Sequence, residues 1–134
     1  MSEQSIFDRI VDWNHERLLI KEPDMKNETS FVVEELLEMN TNLTSMDARV
    51  RAKSITDLIV DQAVEPSDEQ VLDAAGDAIV FLTGLIRKKG YDPNVVMDEV
   101  LKTIESRVGR IIDGKFVKDR TVKEYTPRFE LAKI

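Results

Sequence analysis

Apolar residues at Ile6, Phe7, Ile10, Val11, Trp13, Leu18 and Leu19 recur at three- and four-residue intervals, which predicts an amphipathic helix over roughly 5–20. The stretch KEPDMKNETS, with Pro23 among polar and capping residues, breaks that period. A second helix is predicted over about 30–43, within SFVVEELLEMN and the residues after it. Thr44 with Asp47 has the form of a capping box and opens a third helix over 44–64, with apolar positions at Val50, Ile55, Leu58, Ile59 and Ala63. Ser67 with Gln70 repeats the capping signature. The helix it opens should run to Lys89 and stop at Gly90, with Arg87, Lys88 and Lys89 suited to a C-terminal dipole. Asp92–Pro93 offers an N-cap followed by proline at the first helical position, and a fifth helix is expected to reach about Ile112. Beyond it, DGKFVKDRTVKEYTPRF reads as a turn at Asp113–Gly114, a short β-compatible run and an irregular polar tail. The pattern as a whole predicts an all-α fold. It is a helical bundle of about five helices in one domain, residues 1–134, with 113–134 as a C-terminal loop and tail.

Composition agrees with a packed helical chain. Of 134 residues, 42% are hydrophobic and 34% charged, while glycine and proline number only five and four. A net charge of −7 argues against a nucleic-acid backbone as the main partner, because neutralising phosphates needs a cationic surface. It leaves open a metal-chelated nucleotide, which brings its own cations. The chain has no cysteine, so disulfides, thiolate metal sites and cysteine nucleophiles are excluded. No apolar run approaches the roughly 18 residues of a membrane span. The start MSEQSIFDRIVDW lacks the basic and continuous apolar regions of a signal peptide, so a cytoplasmic protein is expected.

Charge changes the picture at two places. Glu34, Glu35 and Glu38 lie three and four residues apart in the second helix and share about a third of its circumference. Asp73 and Asp77, in VLDAAGDAIVFL, line up with Ala74, Val80, Phe81 and Gly84, on the stripe that should face a core. Clustered carboxylates on an apolar face repel one another and need a cation. The two acidic helices offer no base at matching positions. A hard divalent ion, Mg²⁺ with Mn²⁺ as a substitute, suits an all-oxygen donor set. The plainer reading of the glutamates alone is a solvated acidic face.

EELLE at Glu34 to Glu38 resembles the EExxE signature of the MazG-like all-α NTP pyrophosphatases, a family that also includes phosphoribosyl-ATP pyrophosphohydrolase-like proteins. In that family a second helix supplies an ExxD pair. Here Asp77 matches its aspartate, but Ala74 stands where the acid would be and Asp73 sits one position earlier. EVLKTIESRVGRIIDGKFVKD is similar to the family's last helix and its D-G-K-x-x-K loop. The likeness spans about Val32 to Lys118; Ile104 replaces an asparagine common among relatives. The resemblance implies Mg²⁺-dependent hydrolysis of (deoxy)nucleoside triphosphates between the α and β phosphates, giving a monophosphate and pyrophosphate. The role would be cleansing of the nucleotide pool of dUTP, dCTP or non-standard triphosphates. It implies metal ligands Glu35, Glu38 and Asp77 with Glu34 and Asp73 beside them. Glu34 would orient or deprotonate the attacking water. Arg107, Lys115 and Lys118 would contact phosphates, and the protein would assemble as a homodimer or homotetramer.

The remaining features weigh less. Trp13 could stack on a base and Asn14 hydrogen-bond its edge, though core packing is the commoner role of such an indole. His15 reads as a surface residue, and Arg49, Arg51 and Lys53 as solvated. A di-iron centre would require Glu-x-x-His motifs, which are absent. The competing class is a non-enzymatic helical interaction protein whose acidic faces bind a basic partner.

Overall fold

The computed structural model describes residues 4–61 and 63–134. Among them are helices α1 (Ile6–Glu16), α2 (Met25–Asn40), α3 (Ser45–Ile59), α4 (Asp68–Lys88) and α5 (Pro93–Glu105). Strands β1 (Gly109–Ile112) and β2 (Lys115–Lys118) and a 3-10 turn, Phe129–Ala132, follow. The protein is mostly helical, as expected, but not all-α. No helix is long and apolar enough to cross a membrane among the described residues.

Five boundaries differ from the sequence pattern by three residues or more: α1 stops at Glu16 rather than near Ile20, α2 at Asn40 rather than Leu43, and the start of α2 and the ends of α3 and α5 also shift. Helix α2 begins at Met25 because the Asp24 side chain accepts from the backbone N–H groups of Lys26 (3.0 Å) and Asn27 (3.2 Å). Helix α3 ends at Ile59, with Val60 already extended. Helix α5 stops at Glu105 rather than continuing to Ile112, since Gly109 to Ile112 pairs antiparallel with Lys115 to Lys118. Asp113 and Gly114 both have positive φ (51° and 75°), the requirement of a two-residue turn whose twist matches the strands. At Gly109 a Cβ would lie 2.1 Å from the Val117 carbonyl oxygen, so only glycine lets the strands close there. The caps at Ser5, Thr44 and Asp92 form where the sequence places them or where it offers a short acceptor.

The chain divides into two compact units, Lys21–Ser67 and Met1–Ile20 with Asp68–Ile134. The first is a helical hairpin of α2 against α3. Its buried side on α3 is made of small residues, Ala48, Ala52 and Thr56 at four-residue spacing, and on α2 of Ser30 and Glu34 at the same spacing. The larger apolar residues expected to face a core point outward instead, Leu58 being 86% exposed and Val50 and Ile59 also exposed. Small residues permit close helix approach, and the hairpin uses that face.

The second unit is organised on α5, which α1, α4 and the 3-10 turn all contact. Leu101 and Ala132 are its buried apolar residues, and Glu99 and Thr103 are buried with them. Arg9 ties α1 to α5, donating to Asp98 at 2.6 Å and to Glu105 at 2.9 Å. The tail is less irregular than its composition suggests. Asp92 N–H donates to Ala132 O at 2.8 Å and Ile134 N–H to Gly90 O at 3.0 Å, which closes the C-terminus over the start of α5. Helix α4 ends just before Gly90, as expected, but no residue of it is buried. Val80 and Phe81 are 68% and 78% exposed, and Asp73 and Asp77 are exposed too. The stripe carrying those aspartates is therefore not a core face.

Candidate metal centre and anion contacts

The α2–α3 hairpin places Glu34, Glu35 and Glu38 so that one carboxylate oxygen of each lies within 4.8 Å of the others. Helical spacing brings them together, and the small face of α3 draws Glu34 into the helix interface, where it is 5% exposed. Glu35 is exposed and Glu38 intermediate, so the cluster opens from a buried carboxylate toward solvent. Two unit charges at that separation repel by about 1 kcal/mol in bulk water and about 3 kcal/mol at the effective dielectric of a protein surface. Three such charges on one helix favour a nearby cation, whether a protein base or a bound ion.

Part of that demand is met within the hairpin. Arg49 Nε donates to Glu34 Oε1 at 3.1 Å, its side chain 40% exposed. Arg49 was expected to be solvated; it is instead the base that α3 supplies to the buried glutamate. Lys26 pairs with Asp57 at the other end of the same two helices. The donor set of the triad is carboxylate only, without imidazole or thiolate, which fits a hard cation such as Mg²⁺ or Mn²⁺ and disfavours zinc or copper. Asp73 and Asp77 stand four residues apart on α4, in the other unit.

Of the expected substrate contacts, Arg107 and Lys118 come together. Both donate to one carboxylate, Glu124, with Arg107 Nε at 2.6 Å from Oε2 and Lys118 Nζ at 3.0 Å from Oε1. The hydrogen bond from Arg107, and then that from Lys118, holds the Glu124 carboxyl below the usual carboxylate range. Lys115 lies opposite Ile112 in the hairpin register. Trp13 is a packing residue: its indole N–H donates to Ile104 O at 3.2 Å and its ring meets Phe116 edge-on at 5.2 Å. The Arg17 guanidinium covers it at 4.4 Å from the ring centroid. Asn14 donates back to Ile10 O of its own helix at 2.8 Å.

Glu124 was not singled out by the sequence pattern, and neither was a second, buried carboxylate. Glu99 on α5 is 1% exposed. It accepts from Tyr125 Oη (2.7 Å), the Arg128 backbone N–H (2.8 Å) and Lys102 Nζ (3.0 Å). The Tyr125 hydroxyl and then the Lys102 ammonium hold its carboxyl below the ordinary range, and Glu99 in turn raises the Tyr125 hydroxyl. It anchors the tail. A lone glutamate within PNVVMDEVLKTIE carries no signal of this, since its partners lie 26 and 29 residues further along. Searches against protein-family models, curated proteins and solved structures found no match to the chain.

Proposed function

We propose that the protein is a Mg²⁺-dependent hydrolase of nucleoside triphosphates that cleaves between the α and β phosphates. The observation that carries this reading is the all-carboxylate cluster on α2, with three oxygens within 4.8 Å. Glu35 and Glu38, the more accessible members, would hold the ion, which when bound supplies charge neutralisation for the phosphates and acidity for a coordinated water. Glu34, its carboxylate oriented by Arg49 at 3.1 Å, would position that water or take its proton. The chain needs no covalent nucleophile for this chemistry, and having no cysteine it offers no thiol. The resemblance adds Asp77 and Asp73 to the metal set. It also assigns the phosphates to Arg107, Lys115 and Lys118, and implies a homodimer or homotetramer. An unburied helix bearing Leu72, Val80 and Phe81 supports self-association.

The test is a panel of standard and deoxynucleoside triphosphates with Mg²⁺, scored for monophosphate and pyrophosphate. Turnover that Glu38→Gln abolishes is the expected result, with Asp77→Asn probing the resemblance's further ligand. Orthophosphate and a diphosphate as products would overturn the cleavage position. Absence of turnover with every nucleotide would overturn the enzyme reading and favour the interaction protein, for which the exposed apolar face of α4 also speaks.

A further inference from the structure

The β1–β2 hairpin carries a cationic cleft away from the glutamates of α2 in sequence. A cleft of about 490 Å³ is lined by Arg110, Lys118, Arg120, Gly109, Val117 and their neighbours. Three of its side chains are cationic in a chain of net charge −7. The side chains of Arg110 and Arg120 make no hydrogen bond or ion pair among the described residues. The one acid in the lining, Asp119, already accepts from the Thr121 N–H (2.9 Å) and hydroxyl (2.6 Å). Lys118 joins this cleft to the Glu124 carboxylate, which also receives Arg107.

Glu124 is not needed to hold the tail. The next residue is fastened independently, Tyr125 N–H donating to Ser106 Oγ at 2.8 Å and its hydroxyl to Glu99 at 2.7 Å. Arg128 N–H adds a third tether. A rotation of one side chain would therefore clear Arg107 and Lys118 without releasing the backbone. A carboxylate gripped by a guanidinium and an ammonium at hydrogen-bond distance takes up the kind of contacts that a phosphate group, of greater negative charge, would make.

We propose that the hairpin cleft binds phosphate groups and that Glu124 is their built-in competitor, occupying the position between Arg107 and Lys118 until a phosphate displaces it. The proposal deepens the hydrolase reading, on which its physiological ligand rests: it makes the tail a restraint on substrate or product binding. The phosphate donor is either the triphosphate substrate or the released pyrophosphate.

The experiment measures binding of inorganic pyrophosphate and, separately, of dUTP to the full chain. EDTA is present so that no cation on the triad contributes. In the wild type, amide NMR signals of Gly109, Arg110, Lys118, Asp119 and Glu124 should move while those of 130–134 stay. In Glu124→Gln, which removes the negative charge and leaves one acceptor oxygen where Arg107 and Lys118 now have two, the dissociation constant should fall about tenfold, the factor corresponding to about 1.4 kcal/mol. Shifts with dUTP name the substrate as the source and shifts with pyrophosphate alone the product; either supports the site. No shift in the wild type, shifts elsewhere, or unchanged or weaker binding by Glu124→Gln overturns it. The wild-type titration stands if the variant fails to fold. Binding without hydrolysis in Mg²⁺ would remove the hydrolase reading and leave this one. Hydrolysis with no response to Glu124→Gln would do the reverse.

Discussion

Arg49→Met tests whether a cation and Arg49 compete for the same glutamate. The substitution keeps the apolar stem on α3 and removes the guanidinium that sits 3.1 Å from a carboxylate 5% exposed. Breaking a fully buried pair costs about 3–5 kcal/mol. With Arg49 itself 40% exposed, solvent screening reduces that to about 1–3 kcal/mol. Urea unfolding followed by helical ellipticity, in EDTA, should show a loss of that size. Magnesium should then restore part of it. A site of millimolar affinity gains about 1.4 kcal/mol at tenfold excess of ligand over its dissociation constant. Removing the competing guanidinium should make the Mg²⁺ increment larger in the variant than in the wild type, with NaCl at matched ionic strength giving no such difference. Equal increments in the two proteins would refute the competition for Glu34, and no increment in either would refute the triad as a cation site.

Two further outcomes follow from the buried polar groups. Thr56 is fully buried on α3 and its Oγ1 has no hydrogen-bond partner among the described residues, so Thr56→Val should stabilise the hairpin by about 1 kcal/mol. A higher urea midpoint with an unchanged slope is the expected readout, and a lower midpoint would show that the hydroxyl is satisfied. Glu99→Gln should destabilise the protein at neutral pH, with the gap to the wild type closing on acidification. The folded carboxyl is held low by Tyr125 and Lys102, so its contribution is complete above the ordinary glutamate range and is lost as pH falls through its folded value. Unfolding midpoints measured from neutral pH to about pH 3 would refute this if the gap stayed constant.

Helix identity was legible because it depends on local chemistry. The 3.6-residue period, the Thr44 and Asp92 caps and the Asp113–Gly114 turn all act within a few residues, and each appears where the sequence places it. The glutamate cluster was legible for the same reason, since spacing on one helix is enough to bring Glu34, Glu35 and Glu38 together. Helix ends were less so: Asp24 outcompeted the break implied by Pro23, and strand pairing took Gly109 to Ile112 from the end of α5.

What only the tertiary structure decided is which face each helix buries and which charges meet. Hydrophobicity favours burying Val50, Leu58 and Ile59 of α3, yet the close approach of α2 selects Ala48, Ala52 and Thr56. That choice carries Glu34 inside and brings Arg49 to it. Glu99 with Tyr125, and Glu124 with Arg107 and Lys118, join residues 17 or more apart or across a turn. Local sequence sets the period and the caps because those interactions are short-ranged. Pairings between elements depend on how helix surfaces fit, and that is settled only when the chain is packed.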